Sequence, residues 1–581
     1  MKLSDYIVDY LRHRQGVEVV FGYIGGMITH LVDSLYCNPD IRYVQSYHEQ
    51  SSAFAAEGYA RENGRLGVAI STSGPGATNM ITGVADAYFD SVPVLYITGQ
   101  VNTYEYKYLK TVRQQGFQET DVVSILKPIT KYAVMVDRAE DIRYELEKAC
   151  HIAMSDRKGP VLIDLPMDIQ RAEIDPEKLR SFVPEDDKSE VVNINNIAEL
   201  FSKAKRPMLL LGGGAHGARR ETLEFLKRYP IPVVTSLMGR GATDETYPFY
   251  LGMIGSYGHR CANMGIANSD LLLAVGSRLD TRQTGAKIEN FFRPDAKIVH
   301  VDIDRNELEC NRLKERISIN CDAGKFLKEF ASSSIELQDM SGWQEYICKL
   351  KERYNQDCEI ERFVENKSPY RMMQALNDIS REGDVFCADI GQNQMWAAQT
   401  LKLKQGQRFV TSGGLAPMGF AIPTSVGMAF ANPKCRVFAV CGDGGFHMSL
   451  QSLLLISQYD LPVNLIVINN YALGMITQFQ TLYFDGRMAG AVSECGYIVP
   501  ELRNIAKAYG LKYVRITESD LCSATEIFSE TGLLVDYRID GLTTVSPKLE
   551  FDKPIYMTSP LLPDSELRDN MLIDIADVRY S

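Results

Sequence analysis

The segment from Cys441 to Met475 constrains the fold of this chain most, because it combines apolar runs with polar turns at a defined spacing. In order, it contains an apolar run ending at Cys441, the turn Gly442-Asp443-Gly444, a helix-forming stretch to about Gln458, the apolar run Val463–Ile468 and Asn469-Asn470. This order predicts a strand, a helix and a second strand parallel to the first. Parallel strands end at one edge of a sheet, where α/β proteins bind ligands. We therefore expect Asp443 and Asn470 to lie close together.

The chemistry of these two turns suits a metal ion bound to a phosphorylated ligand. The Asp443 carboxylate and the Asn470 amide carbonyl are hard oxygen ligands of the kind that Mg²⁺ takes together with phosphate oxygens and water. The glycines beside Asp443 allow the backbone to approach a diphosphate. A strand-end turn with solvated polar residues is the alternative that these residues alone leave open.

Bulk properties exclude several classes of protein. The 581 residues suffice for three or four domains. The net charge of −12 argues against a sequence-independent nucleic-acid binder, which needs a surplus of Lys and Arg. The N-terminus shows no signal-peptide pattern and no apolar run reaches membrane-spanning length. The 12 cysteines form no CxxC or zinc spacing, so we expect a reduced, cytoplasmic protein without nucleic-acid or membrane partners.

The rest of the chain repeats the strand–helix alternation in three α/β units. In the first unit, polar or glycine-rich turns follow each predicted strand, and Glu49 lies in one of them. A carboxylate there could exchange protons near neutrality, or it could simply favour a helix N-terminus. In the second unit, Gly212-Gly213-Gly214 follows the predicted strand Pro207–Leu211 and could receive a diphosphate, although a tight turn explains it equally well.

Taken together, the motifs resemble the thiamine diphosphate (ThDP)-dependent acetohydroxyacid (acetolactate) synthase family to about residue 540. The matching segments, in family order, are FGYIGG, HEQ…AAEGYAR, STSGPGATN, TGQV, FQE at 117–119, LLLAVGSRLDTRQTG, HVDID, GQNQMWAAQ, TSGG…MGF, GDGGF and INN…GM. The resemblance implies an α/β fold class with three doubly wound parallel-sheet domains. The expected boundaries are 1–170 for the pyrimidine-binding domain, 171–190 for a linker, 191–335 for the central domain, 336–368 for linker helices, 369–540 for the diphosphate- and Mg²⁺-binding domain, and 541–581 for a C-terminal tail or flap.

The resemblance also implies roles for individual residues. Glu49 matches the glutamate that bonds the aminopyrimidine ring of ThDP, and Met418 matches the bulky apolar residue beneath the bent cofactor. The Mg²⁺ ligands carried over are Asp443, Asn470 and the backbone carbonyl of Ala472. The other catalytic positions are Gln118, Gly25 and Gly26, and the other ThDP-binding positions are Pro75, Asn79, Gln392, Asn393, Gly442, Gly444, Gly445 and Met475. Phe117, Met167 and Phe479 are the expected substrate-side residues.

Two further expectations come from the resemblance alone. The residues expected to hold FAD without a net redox role are Gly212, Gly213, Gly214, Arg278, Arg282, Asp302 and Asp322. The active site is expected to be shared between two subunits of a homodimer or homotetramer, with Glu49 of one chain meeting the cofactor held by the other.

The sequence departs from the biosynthetic synthases mainly on the substrate side. Met167 stands where they carry a lysine, Phe479 where they carry a tryptophan, and Ile24 where they carry a proline. Asn393 replaces the usual histidine, and Thr281 interrupts the family's DDR motif. The tail resembles that of a branch associated with surface-polysaccharide sugar pathways. These departures leave the identity of the acceptor open.

We therefore expect ThDP- and Mg²⁺-dependent decarboxylation of a small 2-oxo acid such as pyruvate, with carboligation of the two-carbon unit to a carbonyl acceptor. The acceptor alternatives are a second 2-oxo acid, an aldehyde or a keto-sugar nucleotide. A simple decarboxylase is disfavoured because the first unit lacks an adjacent histidine pair. A flavin-using pyruvate oxidase stays open. No convincing GxGxxG supports a nicotinamide dehydrogenase, and a non-catalytic relative would be expected to lose Glu49 or the metal residues.

Overall fold

The computed structural model of this chain describes residues 1–184, 194–293, 295–539, 541–573 and 575. Part of the predicted linker 171–190, the first residues of the predicted central domain and the end of the predicted tail lie outside the described residues. Within the described residues, no helix combines the length and the apolar character needed to cross a membrane.

The described residues form three six-stranded sheets in which neighbouring strands pair in parallel, which confirms the predicted fold class. The strand orders are β2-β1-β3-β4-β6-β5, β12-β11-β10-β7-β8-β9 and β14-β13-β15-β16-β18-β17. The strands are β1 Val19–Tyr23, β2 Arg42–Gln45, β3 Gly67–Ser71, β4 Val94–Gln100, β5 Tyr132–Met135, β6 Val161–Pro166, β7 Pro207–Leu211, β8 Val233–Thr235, β9 Tyr250–Met253, β10 Leu271–Val275, β11 Lys297–Asp302, β12 Ile317–Asn320, β13 Val385–Ala388, β14 Arg408–Val410, β15 Val437–Gly442, β16 Val463–Asn469, β17 Lys512–Ile516 and β18 Leu533–Arg538. A small antiparallel pair, β19 Lys548–Leu549 and β20 Thr558–Ser559, lies in the C-terminal segment.

Helices connect the parallel strands of each sheet, as parallel pairing requires. The helices around the first sheet are Leu3–His13, Thr29–Cys37, Glu49–Asn63, Pro75–Asn79, Ile81–Phe89, Val122–Leu126, Ile142–Met154 and Met167–Gln170. Those of the second unit and the connection after it are Asn195–Lys203, Arg219–Arg228, Arg260–Asn268, Thr281–Thr284, Arg305–Glu309, Ala323–Ser332, Ser341–Tyr354 and Gln356–Phe363. Those of the third unit and the C-terminal segment are Ser368–Ile379, Gln392–Thr400, Ala421–Ala431, Asp443–His447, Leu453–Gln458, Gly474–Tyr483, Leu502–Ala508, Ala524–Ile527 and Asp564–Asp569.

Sequence periodicity did not predict every strand, and β6 shows why. Its apolar run is interrupted by Asp164, which is nevertheless fully buried. The Thr98 hydroxyl donates to one carboxylate oxygen at 2.6 Å, and the Gln100 amide donates to the other at 2.9 Å. Burial raises the pKa of Asp164 to about 7, although these two hydrogen bonds oppose the rise. A polar residue can occupy a central strand when such partners are supplied by its neighbour.

The first and third units share one hydrophobic core, built around the crossing of helices Glu49–Asn63 and Ala421–Ala431. Two glycines permit the close approach. A Cβ on Gly58 would lie 2.1 Å from the Thr424 carbonyl oxygen, and a Cβ on Gly427 would lie 1.8 Å from the Ala55 carbonyl oxygen. Since neither obstacle is a flexible side chain, only glycine fits at these two positions in this packing.

Beside this crossing lies a buried polar cluster that also joins the first and third units. Arg61 pairs with Glu57 at 2.6 Å and with Asp90 at 2.7 Å, and the Ser412 hydroxyl donates to Asp86 at 2.5 Å. Burial raises the pKa values of Glu57 and Asp86. The cluster therefore connects the two units through charge-assisted hydrogen bonds as well as apolar packing.

The C-terminal segment packs into the apolar core beside the second sheet. Ile555, Tyr556 and Leu562 are buried there. The guanidinium of the buried Arg260 pairs with Glu359 at 2.7 Å and donates to carbonyl oxygens of the segment at 2.8 and 2.9 Å. The segment is thus integrated into the second unit between about residues 548 and 573.

Candidate active site

The carboxyl edge of the first sheet gathers Glu49 with glycine-rich turns. Glu49 begins helix Glu49–Asn63, is 7% exposed, and accepts a hydrogen bond from the Asn79 amide at 2.9 Å. Gly76, next to the exposed Pro75, lies so close that its Cβ would be 3.3 Å from a Glu49 carboxylate oxygen. The Glu49 carboxylate therefore has one side-chain hydrogen-bond partner, and the backbone of Gly76 lies close beside it.

The glycine turn after β1 lies against the same edge. A Cβ on Gly25 would come within 2.5 Å of Thr72, which follows β3 directly, and the backbone amide of Met27 donates to the Thr72 hydroxyl at 3.2 Å. A Cβ on Gly26 would meet no atom within 4 Å. The structure thus brings Gly25 and Gly26 to the edge that carries Glu49, with open space above Gly26.

Gln118 reaches this edge through a loop that Glu119 holds in shape. Gln118 has a φ of +62°, which is uncommon for a residue other than glycine. A Cβ on Gly74 would lie 3.1 Å from the Cβ of Gln118, so the two residues are close neighbours. The Glu119 carboxylate accepts backbone hydrogen bonds from Lys107, Gln115 and Gly116 at 2.7 to 2.9 Å. Burial works to raise the pKa of Glu119, but these bonds outweigh it and lower the pKa. An ordered loop can maintain a strained residue at a functional site.

The third sheet brings the predicted metal residues together. Asp443 follows β15 and Asn470 follows its neighbour β16, so both turns lie at the same edge. The Asn470 side-chain oxygen accepts from the backbone amide of Ala472 at 3.3 Å, which closes a tight turn around Tyr471 at φ +55°. Asp443 is 1% exposed, and Tyr497 donates to one of its carboxylate oxygens at 2.5 Å.

One observation makes this edge a candidate cation site. The second carboxylate oxygen of Asp443, Oδ2, is buried and has no hydrogen-bond partner. Burial raises the pKa of Asp443 to about 6, although the Tyr497 hydrogen bond and nearby backbone amides oppose the rise. A divalent cation would supply the missing partner. Gly444 is closely surrounded, since a Cβ there would fall 2.8 to 3.1 Å from Leu473, Met418 and Tyr497, and any side chain would crowd all three.

Gly445 and Gly442 complete the turn after β15. A Cβ on Gly445 would lie 2.4 Å from a carboxylate oxygen of Asp389. Asp389 also accepts from the backbone amides of Gly419 and Ala421, at 3.0 and 2.8 Å, and so fixes the chain around Met418. A Cβ on Gly442 would meet the Asn393 side-chain oxygen at 3.4 Å. The glycines thus keep the strand-end loops in close contact.

Gln392 and Asn393 begin helix Gln392–Thr400, and the side-chain amides of both form hydrogen bonds within the protein. The Gln392 amide donates to the Thr543 carbonyl at 2.7 Å and to Gln478 at 3.1 Å. The Asn393 amide donates to the backbone carbonyls of Asp389 and Val440 at 2.7 and 3.3 Å. Both side chains are buried, and their amide N–H groups donate to acceptors within the protein. Contact with a diphosphate would have to come from the backbone at this helix N-terminus.

The substrate-side residues lie around the two edges. Phe117 is 79% exposed beside Gln118, and Phe479 is 52% exposed on helix Gly474–Tyr483, where its ring packs against Tyr483 at 4.6 Å between centroids. Met475, on the first turn of that helix, is partly buried against the core. Met167 begins helix Met167–Gln170 after β6 and is half-buried.

Within the described part of one chain, the hydrogen bonds at the two edges do not connect them. Glu49 bonds to Asn79 of the first unit, and Asp443 bonds to Tyr497 of the third. We call the first group, around Glu49, the glutamate half-site, and the second group, around Asp443, the metal half-site.

The residues predicted for FAD surround the carboxyl edge of the second sheet. Gly212 is buried, and its Cβ would lie 2.1 Å from the Gly276 carbonyl oxygen, whereas Gly213 and Gly214 are exposed. Arg278 pairs with Asp280 at 3.3 Å, and the side chain of Arg282 is exposed.

The two predicted aspartates at this edge have different surroundings. Asp302 ends β11 and is 7% exposed, and burial raises its pKa to about 6. Asp322 caps helix Ala323–Ser332 by accepting from the Lys325 amide at 2.9 Å. Asp302 also accepts from the Asp304 backbone amide at 2.9 Å, so both aspartates already have a structural partner.

Sequence reasoning assigned no role to Glu119, Asp389 or Tyr497. Glu119 and Asp389 stand in quoted motifs or directly before one, so their position was a usable signal. Tyr497 lies 54 residues after Asp443 in a stretch without a motif, and only the tertiary contact reveals it.

Comparisons with known proteins agree with this division of the chain. Three family models match: the N-terminal TPP-binding domain of thiamine pyrophosphate enzymes at residues 1–125, their central domain at 194–330 and their C-terminal TPP-binding domain at 389–532. Thiamine pyrophosphate is another name for ThDP.

Curated relatives match over most of their length. The chain is 38% identical to a probable acetolactate synthase large subunit of Methanocaldococcus jannaschii, over 93% of this chain and 92% of that protein. It is 37% identical to the acetolactate synthase large subunit of Corynebacterium glutamicum, over 87% and 80% respectively. It is 35% identical to the acetolactate synthase isozyme 2 large subunit of Escherichia coli (strain K12), over 94% and 97%.

Proposed function

Because this chain belongs to the acetolactate synthase large-subunit family of ThDP-dependent enzymes, we propose that it decarboxylates pyruvate and joins the two-carbon unit to a carbonyl acceptor, with a second pyruvate as the first acceptor to test. The single observation that carries the proposal is the placement of Asp443, buried with one unpartnered carboxylate oxygen, at the same sheet edge as Asn470. Bound ThDP would supply the carbanion and electron sink for this chemistry.

The glutamate half-site would bind and orient the pyrimidine end of the cofactor. Glu49 would hold a proton at the ring nitrogen, and the Asn79 amide would keep its carboxylate in place through the 2.9 Å hydrogen bond. Gln118 and the open space above Gly26 would accommodate substrate, since both adjoin the same edge. Substrate held in line with the reactive carbon gains the rate advantage of proximity.

The metal half-site would bind the diphosphate end. Asp443, Asn470 and the Ala472 carbonyl would provide the protein oxygens of an octahedral Mg²⁺ site. Met418 packs beside Gly444 and would support the cofactor between its two ends. The helix N-terminus at Gly474 would add backbone donors for phosphate oxygens.

We further propose that the complete site forms between two chains of a homodimer or larger assembly. Exposed apolar side chains flank both half-sites and would be buried by such pairing. They are Tyr104, Tyr108, Leu109, Val112 and Phe117 beside the glutamate half-site, and Ile476, Phe479, Leu482, Tyr483 and Phe484 beside the metal half-site.

Mixing two inactive variants tests the shared site. Glu49→Gln and Asp443→Ala chains should each be inactive alone. After unfolding and refolding together, about a quarter of the wild-type activity should return, since random pairing gives half heterodimers with one intact site each. A site completed within one chain would give no recovery.

FAD is a further proposed cofactor of the central unit. The exposed Gly213 and Gly214, the Arg278 and Arg282 side chains and the strand-end Asp302 form a donor and acceptor set that suits a dinucleotide. Protein purified without added cofactor should be yellow with a flavin absorption spectrum. A colourless protein that gains no flavin spectrum after incubation with FAD would rule out this part of the proposal.

The reaction itself is tested with labelled pyruvate. Incubation with ThDP and Mg²⁺, alone and with aldehyde or keto-sugar acceptors, should give acetolactate as the fastest-formed product from pyruvate alone. A faster reaction with another acceptor would correct the acceptor, and the absence of both carbon dioxide release and carboligation would refute the function.

A further inference from the structure

A short segment outside the predicted ligand set packs against the loop that carries Asn470 and Ala472. We call residues 491–497 the strap. The backbone amide of Leu473 donates to the Ala491 carbonyl at 2.9 Å, and Ala472 pairs with Val492 in an antiparallel β-bridge. Ala472 is the residue whose carbonyl is the proposed third protein ligand of the metal. The strap thus fixes the backbone on that side of the site.

The strap then turns back toward Asp443. The backbone amide of Tyr497 donates to the Val492 carbonyl at 3.1 Å, and Gly496 adopts a φ of +97°, which favours glycine. This turn brings the phenol of Tyr497 to Asp443, where its hydroxyl donates to Oδ1 at 2.5 Å. The same hydroxyl lies 3.1 Å from where Gly444 would carry a Cβ, so the phenol also packs against the turn that follows Asp443.

The contact divides the two oxygens of the Asp443 carboxylate. Oδ1 has a neutral donor, whereas Oδ2 is buried without a partner. The hydroxyl restricts rotation of the carboxylate and leaves Oδ2 available to a cation. Because the phenol is neutral, it orients the ligand without competing as a positive charge.

We propose that Tyr497 is a positioning residue for the metal ion, which aims Asp443 Oδ2 at Mg²⁺ while the strap holds the Ala472 carbonyl beside it. This inference rests on the proposed function and adds to it a residue that no motif identified. Removing a residue that orients a metal-binding carboxylate from outside the coordination sphere typically lowers metal affinity roughly 10- to 100-fold.

The test is Tyr497→Phe, assayed by calorimetric titration of ThDP at a series of Mg²⁺ concentrations. The Mg²⁺ concentration that half-saturates ThDP binding should rise roughly 10- to 100-fold. Saturating Mg²⁺ should restore both ThDP binding and turnover, because the defect lies in metal affinity. Unchanged or tighter Mg²⁺ dependence would overturn the proposal, as would a defect that excess Mg²⁺ does not relieve.

Tyr513→Phe is the matched control. It removes a hydrogen bond of the same kind, from Tyr513 to Asp536 at 2.7 Å, in the same sheet but outside the metal half-site. Its Mg²⁺ dependence should equal that of the wild type. If Tyr497→Phe does not fold, Gly496→Ala displaces the phenol without removing it and should shift the Mg²⁺ dependence in the same direction by less. A wild-type protein that binds no ThDP would refute the proposed function instead.

Discussion

Replacing Gly427 by alanine should force apart the two helices that join the glutamate half-site to the third unit. The new Cβ would lie 1.8 Å from the Ala55 carbonyl oxygen, whereas ordinary Cβ contacts begin near 3.4 Å. The obstacle is backbone, so it cannot rotate away. Relief requires the helices to separate by about 1.6 Å within a close-packed core.

Two terms of opposite sign determine the change in stability. Alanine in place of glycine in a helix interior is intrinsically favourable by about 1 kcal/mol. Overpacking a well-packed core costs about 1–3 kcal/mol, occasionally more. We expect the overpacking cost at Gly427 to lie at or above the upper end of this range, because both helices are buried and the contact is with a carbonyl. The net destabilisation is then about 2 kcal/mol, which lowers the unfolding midpoint by roughly 4–8 °C for a domain of 150–250 residues.

The assay is thermal unfolding followed by circular dichroism, with Gly342→Ala as the control. Gly342 is also helical, but its Cβ would meet no atom within 4 Å, so only the favourable term applies. Gly342→Ala should match or slightly exceed the wild-type midpoint. If Gly427→Ala behaves like Gly342→Ala, the packing argument is refuted. Turnover should also fall, since Glu49 begins one of the displaced helices.

Three further predictions concern single carboxylates. Glu49→Gln should lower turnover by roughly 100-fold or more while ThDP still binds by calorimetry; near-normal turnover would remove Glu49 from its assigned role. Asp443→Ala should weaken Mg²⁺-dependent ThDP binding, and an unchanged affinity would exclude Asp443 as a ligand. Burial raises the pKa of Asp164 from its ordinary value of 3.8 to about 7, so the folded protein keeps this proton to higher pH and loses stability as pH rises through that interval. Asp164→Asn should therefore lose less stability than the wild type between about pH 5 and pH 8, and equal losses in thermal midpoint would contradict the assignment.

The sequence alone predicted the fold class and the edges at which functional groups collect. The strand Pro207–Leu211, for example, was bounded correctly, because it is an apolar run that stops at a glycine-rich turn. The adjacency of Asp443 and Asn470 followed from the same logic, since parallel pairing of β15 and β16 brings their ends to one edge. Strands with an interrupted or short pattern, such as β6 and β14, were missed.

Tertiary structure decided which groups at those edges remain available. Nothing in the local sequence pattern indicates that the Gln392 amide donates to the Thr543 carbonyl, or that the Tyr497 hydroxyl donates to Asp443. Periodicity and motifs describe interactions within a few residues, whereas these contacts join segments 54 to 151 residues apart. The sequence therefore determined that Asp443 stands at the carboxyl end of a parallel strand. Only the folded chain decided that one of its oxygens is held by a phenol while the other stays buried without a partner, because that division depends on which distant segment packs against it.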